Sequence, residues 1–294
     1  VINNQVGLVD GEIVLNPTQE QRKKSDLALT VAATMDKIVM IEAGANEVDE
    51  DTMLNAIKAA HVEIKKTIAF INEIVAERGK PKIEFQVVGL DMDVFHAIKE
   101  KYLDDFKAAM DTDDKNVRDA ALLPILDKIA AEYPDLSDAD LDLVSYKMQK
   151  YVVRRWLLDD GKRVDGRGID EIRPLAAEVG ILPRVHGSGL FTRGQTQVLS
   201  IATLATLSMA QKLDTIWEEE EKRFMHHYNM PPYSTGDARA ARSTNRREYG
   251  HGALVEKALR CVIPPVEEFP YAIRVVSEVL SSNGSTSQGS ICGS

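Results

Sequence analysis

Four arginines, Arg239, Arg242, Arg246 and Arg247, fall within nine residues with no acidic residue between them. A guanidinium keeps its charge at any pH near neutral, and its planar fork matches two oxygens of one phosphate. The chemistry such a run offers is the capture of phosphate groups. The plain alternative is a solvated run of charge. Glycines and prolines surround the run and His251 follows Gly250 closely, so on the residues alone both readings stand.

A second segment, Asn283-Gly284-Ser285-Thr286-Ser287-Gln288-Gly289-Ser290, is a hydroxyl-rich turn between an apolar run and a predicted helix. The start of a helix presents unpaired backbone N–H groups and the positive end of its dipole, and Ser and Thr hydroxyls add neutral donors. Such a turn can hold a free phosphate without a nucleotide loop; no Gly-Lys-Ser/Thr is present to make one. An ordinary N-cap with a linker is the competing reading. In His186-Gly187-Ser188-Gly189-Leu190-Phe191-Thr192-Arg193-Gly194 the glycines let backbone approach a ligand, and Arg193 fits either an RNA phosphate or a structural ion pair. His226-His227-Tyr228 allows stacking on bases or simple packing. His61 and His96 read as structural histidines on helices, and no Gly-x-Ser-x-Gly elbow supports a serine hydrolase.

The elements that must position these residues fall into three stretches. Residues 6–17 carry an Asp10-Gly11 turn between apolar runs, and 27–33 and 38–43 form a hairpin joined by 34–37. From 49 to 77, Met53, Ile57, Ala60, Ile64, Ile68, Ile71 and Val75 recur at helical spacing, closed by Gly79-Lys80-Pro81. Residues 88–160 read as helical throughout. Val94, Ile98, Tyr102 and Phe106 make one stripe, and Val117, Ala121, Ile125 and Ile129 a second in which Pro124 predicts a kink or a break. Ser137 with Asp140 predicts a capping box for a third helix through Leu141, Val144, Met148 and Tyr151. Beyond Gly161 the pattern returns to strands at 198–207 and 271–280, with a long ordered loop at 217–250, a helix at 252–260 and a further helix beginning near the end. Strand and helix stretches flanking a helical middle predict an α+β protein.

The chain has 294 residues, 44% hydrophobic and 28% charged, which excludes wholesale disorder. No apolar run is long enough for a membrane span, and no secretory signal opens the chain. The start at Val1, without an initiator Met, predicts a piece of something longer. Cys261 and Cys292 are too few for a disulfide framework or a zinc site. The net charge of −10 is regional: residues 91–140 hold 14 acids against six bases, whereas 161–294 hold 16 bases against 15 acids. The acids of the helical middle read as a solvated face, with a partner surface as the alternative.

Four stretches resemble the polynucleotide phosphorylase family in its order and spacing. They are Lys222-Arg223-Phe224-Met225-His226-His227-Tyr228-Asn229-Met230-Pro231-Pro232-Tyr233, Arg246-Arg247-Glu248-Tyr249-Gly250-His251-Gly252-Ala253-Leu254, Phe269-Pro270-Tyr271-Ala272-Ile273-Arg274-Val275-Val276-Ser277-Glu278 and Ser282-Asn283-Gly284-Ser285. The resemblance extends over the chain. It implies the C-terminal part of a first RNase PH-like domain at 1–80, an all-helical linker domain at 81–160, and the N-terminal part of a second RNase PH-like domain at 161–294.

That resemblance implies a phosphorolytic 3′→5′ exoribonuclease that releases nucleoside diphosphates, acts in mRNA turnover and is reversible as an untemplated polymerase. It implies catalytic roles for Arg246, Arg247 and His251, phosphate binding by Ser285, Thr286 and Ser287, and RNA contacts by Arg193 and Arg242. Inorganic phosphate would be the co-substrate and Mg²⁺ the metal, its ligands expected downstream of Ser294, so no metal ligand is assigned and the chain by itself is expected to be inactive. The implied partners are single-stranded RNA, two further copies in a homotrimer, and an endoribonuclease and a helicase of an RNA-degradation complex, in the cytoplasm and off the membrane. Gln288 and Gly289 depart from the family's usual Ser-Ser-Ser-Met-Ala run, as does Thr286, which keeps a hydroxyl. A non-catalytic, exosome-type ring subunit is the alternative, and a scaffold built on the acidic helices a third reading; a phosphate pocket favours the enzyme.

Overall fold

The computed structural model describes all residues except 86–88, 215–218 and 242. The chain divides into two compact units, Val1–Gln86 and Val87–Ser294. In the first, β1 (Ile2–Val9), β2 (Glu12–Leu15), β3 (Leu27–Ala33) and β4 (Ile38–Ala45) form an antiparallel sheet in the order β2-β1-β3-β4, with a short helix α1 (Gln19–Lys23) between β2 and β3. The Asp10-Gly11 turn is as expected: both residues adopt positive φ, which a two-residue hairpin of matching twist requires. Helix α2 (Glu50–Arg78) packs Ala56, Ala60 and Ile64 onto Val6, Leu27, Leu29 and Val31. Its predicted stripe runs out: Ile71 and Val75 are exposed, since the sheet extends under only the first half of the helix.

In the second unit, α3 (Met92–Met110), α4 (Lys115–Glu132) and α5 (Asp138–Asp159) share one core of Phe95, Ile98, Tyr102, Phe106, Ile129, Val144, Met148, Val152 and Trp156. The Ser137–Asp140 capping box forms as the sequence predicts. Two expectations are corrected. Of the kink or break expected at Pro124 the break does not occur: α4 runs through it unbroken, because Leu122, Ile125 and Ile129 are buried on both sides and tertiary packing offsets the lost N–H bond. Tyr151 is not part of the α5 core stripe; Val152 and Trp156 take that face and Tyr151 lies at the surface.

The remainder holds a five-stranded sheet built from β5 (Leu175–Val179), β6 (Gly187–Arg193), β7 (Thr196–Ala205), β10 (Phe224–Asn229) and β11 (Ala272–Ser281), in the order β10-β11-β7-β6-β5. A small ribbon of β8 (Gln211–Asp214) and β9 (Glu219–Lys222) stands apart. The expected loop at 217–250 is corrected: β10 lies inside it and pairs in parallel with β11. Its buried positions are Phe224, His226 and Tyr228, so two of the three inward places are held by side chains that read as polar. Helices α6 (Arg246–Leu259) and α7 (Thr286–Gly293) cover this sheet, α6 over β10 and α7 over β6 and β7, and they pack on each other.

Candidate active site

Helix α6 begins six residues earlier than its periodicity predicts, which places Arg246 and Arg247 in its first turn. Asn245 caps the helix: its Oδ1 accepts from Glu248 N at 3.0 Å, and Glu248 Oε2 accepts from Asn245 N at 2.8 Å. The other oxygen of Glu248 accepts from Met230 N at 2.8 Å, tying the helix start to the end of β10. Further along, Gly252 lets α6 sit close on the strand, since a Cβ there would meet the His226 carbonyl oxygen at 3.1 Å. Arg246 and Arg247 are exposed, and neither forms an ion pair among the described residues.

The second helix start is fixed from behind. Gly284 and Ser285 both adopt positive φ, 82° and 50°, turning the chain sharply out of β11 into α7. Buried Thr196 brackets that turn: its hydroxyl donates to the Gly284 carbonyl at 3.0 Å and accepts from Asn283 N at 2.9 Å. Arg193 donates to the same carbonyl at 2.9 Å through Nη2. Among the described residues Arg193 forms no ion pair, one of the two roles its surroundings suggested; it grips the turn. Gly189 and Gly289 allow α7 to lie directly on the sheet, for a Cβ on Gly189 would stand 2.3 Å from the Gly293 carbonyl oxygen. The first helical bond beyond the cap is Gly289 N to Ser285 O, which leaves the N–H groups of Thr286, Ser287 and Gln288 in the first turn without helical acceptors.

Tyr228 joins the two helix starts. Its phenol oxygen hydrogen-bonds Thr286 Oγ1 at 2.6 Å, and its ring meets the His251 ring edge-on with centroids 4.9 Å apart. Burial pushes the Tyr228 phenol up; the Thr286 hydroxyl and the Arg247 charge oppose that rise. Burial holds the His251 imidazole below its ordinary value, and the charge of Arg247 acts the same way. Arg247, His251, Tyr228 and Thr286 therefore form one group, with His251 neutral at pH 7 and its Nδ1 buried without a partner. Around Thr286, Ser285 is exposed, and Ser287 is buried with its hydroxyl on Gln288 Oε1 at 3.0 Å.

The rest of the predicted arginine run divides. Arg239 pairs with Asp237 at 3.6 Å and lines a cleft of about 340 Å³ beside the start of α6, with Asn229, Pro232, Asn245 and Glu248. Arg242 lies outside the described residues. His226 and Tyr228 pack rather than stack: His226 Nε2 reaches Ser277 Oγ at 3.0 Å and Ser294 Oγ at 3.1 Å, and burial pushes its imidazole down to about 4. His61 bonds the Thr34 carbonyl at 3.1 Å. Sequence reasoning missed Tyr228 as the bridge and Thr196 as the bracket; the period-two burial of β10 and β7 is the signal that marks both as inward-facing.

Among the described residues no three His, Cys, Asp or Glu side chains are grouped to hold a metal ion, and no helix is long and apolar enough to cross a membrane. The described residues do not fit a Mg²⁺ site.

Three family models match the chain in succession. Residues 1–63 match the 3′ exoribonuclease family, domain 2; residues 93–168 match the polyribonucleotide nucleotidyltransferase, RNA binding domain; and residues 171–294 match the 3′ exoribonuclease family, domain 1. The chain is 53% identical over 293 residues to the polyribonucleotide nucleotidyltransferase of Ruminiclostridium cellulolyticum, covering 98% of this chain and 42% of that protein. With the enzyme of the same name from Lachnoclostridium phytofermentans it shares 55% over 295 residues, covering 99% and 42%. It thus spans 42% of the length of these curated relatives. Among solved structures it is similar to an Archaeoglobus fulgidus exosome with RNA bound to the active site, at 17% identity and a TM-score of 0.39, covering 49% of this chain and 57% of that one.

Proposed function

The chain belongs to the polyribonucleotide nucleotidyltransferase family, and from that premise we propose that it carries the phosphate-handling half-site of a phosphorolytic 3′→5′ exoribonuclease. In that reaction an oxygen of inorganic phosphate attacks the terminal phosphodiester of RNA. The bond from phosphorus to the 3′-oxygen of the preceding nucleotide breaks, that oxygen takes up a proton, and a nucleoside diphosphate leaves. The reverse reaction extends RNA from diphosphates. Two anions that repel each other must meet, so catalysis rests on positioning and charge neutralisation.

The observation that carries this reading is the Tyr228 bridge, which sets the hydroxyl tip of α7 and the Arg247–His251 group of α6 side by side. The exposed Ser285 hydroxyl and the first-turn N–H groups, with Thr286 and Ser287, hold the free phosphate. Arg246 and Arg247 neutralise the attacking or the scissile phosphate. His251, neutral near pH 7, serves as a hydrogen-bonding group in the same site rather than as a third cation. Arg193 holds the Gly284 carbonyl with one nitrogen and offers its other N–H groups to an RNA phosphate; Arg242 is a second RNA contact on its place in the sequence.

The same reading assigns 1–80 and 161–294 to two RNase PH-like domains and 81–160 to the helical domain between them. It carries a homotrimer on single-stranded RNA in the cytoplasm, Mg²⁺ held by residues other than those described, and association with the endoribonuclease and helicase of an RNA-degradation complex. A full-length enzyme containing this chain should release nucleoside diphosphates from RNA only when phosphate is supplied. Arg247→Ala should abolish that release with an unchanged circular dichroism spectrum; undiminished release would remove the arginine from the chemistry.

A further inference from the structure

Helix α5 carries four bases and no acid from Leu143 to Leu158, although residues 91–140, just before it, hold 14 acids against six bases. The basic residues are placed with aromatic rings. Lys150 Nζ lies 5.8 Å from the centroid of the Tyr146 ring, and Lys99 Nζ of α3 lies 4.4 Å from that of Tyr151. Tyr146 is 62% exposed and Tyr151 36%, too open for core residues. At about 100° per residue, Lys150, Arg154 and Lys147 fall between the two tyrosines around the helix. None of Lys99, Lys147, Lys150 and Arg154 is paired with a carboxylate among the described residues, whereas Arg155, on the next face, is paired with Asp159. The helix axis separates the two rings by about 7.5 Å.

We propose that this face of α5, with Lys99 from α3, is a docking surface for single-stranded RNA, built from two stacking rings and four cations without a carboxylate partner among the described residues. The proposal rests on the RNA-degrading reading above and names a surface on the helical domain that would hold the substrate away from the reacting end. Charge complementarity selects the occupant. A cation over one face of a tyrosine orders the ring and leaves its other face to a base, and unpaired lysines beside it meet the phosphates. An acidic polypeptide would use the lysines but has no need of two exposed rings. The excess of acid elsewhere on the helical domain confines the attraction to this strip.

The test is equilibrium binding of a fluorescein-labelled 12-nucleotide oligoadenylate to the 294-residue chain over a range of salt. Removing three charges (Lys99→Gln, Lys147→Gln, Lys150→Gln) should lower the slope of log K against log salt by about 2, because each single-strand phosphate contact contributes about 0.7. The pair Tyr146→Ala and Tyr151→Ala should weaken binding at least tenfold and leave that slope unchanged, as loss of stacking does. Unchanged melting temperatures would show that both variants fold. Wild-type affinity and slope in both variants would overturn the proposal, as would displacement of the oligonucleotide by poly-glutamate at equal charge. Since binding and not phosphorolysis is read, loss of diphosphate release in the full-length enzyme would count against the catalytic reading alone.

Discussion

Replacing Thr196 by valine removes one hydroxyl from a buried position with little change of shape, and that hydroxyl holds two successive backbone groups of the α7 turn. In the wild type it donates to Gly284 O at 3.0 Å and accepts from Asn283 N at 2.9 Å. The variant leaves the Gly284 carbonyl with Arg193 as partner and leaves the Asn283 N–H with none. An unsatisfied backbone donor costs about 1–3 kcal/mol. The half-buried position of Asn283 admits some water and puts the loss toward the lower end. The bracket also holds Ser285 in a left-handed conformation that costs an L-residue about 1–2 kcal/mol when unsupported. We therefore expect a fall in stability of about 1–2 kcal/mol. In the full-length enzyme, KM for phosphate should rise about tenfold, since about 1.4 kcal/mol lost from a preorganised turn is a factor of ten in binding. kcat on saturating phosphate should change far less, because the arginines are untouched. The assay is diphosphate release from oligoadenylate against phosphate concentration, with Thr196→Ser as the variant that restores both bonds. A wild-type KM in the valine variant, or a serine variant as impaired as the valine one, would refute the claim that the bracket shapes the phosphate site.

Tyr228→Phe keeps the ring against His251 and loses the 2.6 Å bond to Thr286, so KM for phosphate should rise severalfold. The buried Thr286 hydroxyl left without its partner should cost about 1–3 kcal/mol by urea denaturation. Gly252→Ala forces a Cβ to 3.1 Å from the His226 carbonyl oxygen, a backbone atom that cannot turn aside, and should destabilise by about 1–3 kcal/mol in the same assay. Acid should also weaken the fold through His226. Its folded pKa of about 4 lies below the ordinary 6.5, so the unfolded chain binds more protons between those values and stability falls as the pH is lowered through that window. At about 1.4 kcal/mol per unit the loss amounts to about 3 kcal/mol, and His226→Gln should flatten the profile between pH 6.5 and 4.

Much of the fold, and the α7 side of the site, could be read from residue types alone. The hairpin at Asp10-Gly11, the capping box at Ser137 and the helix start after Asn283-Gly284 follow from local chemistry that tertiary contacts do not override. The start of α6 was hidden, because Arg246, Arg247 and Tyr249 face solvent and give no apolar period to follow; the Asn245–Glu248 box marks it instead. β10 was hidden for the opposite reason, since two of its three inward side chains are a histidine and a tyrosine whose hydrogen-bond partners, Ser277 and Thr286 among them, lie far along the chain. The same long-range dependence concealed Thr196 and Arg193, whose task is set by a carbonyl 88 and 91 residues away. Conversely, Arg239 belongs to the arginine run in sequence yet is paired with Asp237, whereas Arg246 and Arg247 form no ion pair among the described residues, because proximity along an irregular segment does not fix direction.

Of the two phosphates that meet in the proposed site, the attacking one lies at the α7 tip within reach of the α6 arginines, and a double-mutant cycle on phosphate affinity tests that sharing most directly. Calorimetric titration of the full-length enzyme with inorganic phosphate would compare Arg247→Ala, Thr286→Val and the double variant. Groups that grip one anion are coupled, so the two losses should fail to add by about 1 kcal/mol or more. Losses that add to within about 0.3–0.5 kcal/mol, as they do for independent sites, would place the guanidinium and the hydroxyl tip on different ligands and contradict the proposed site.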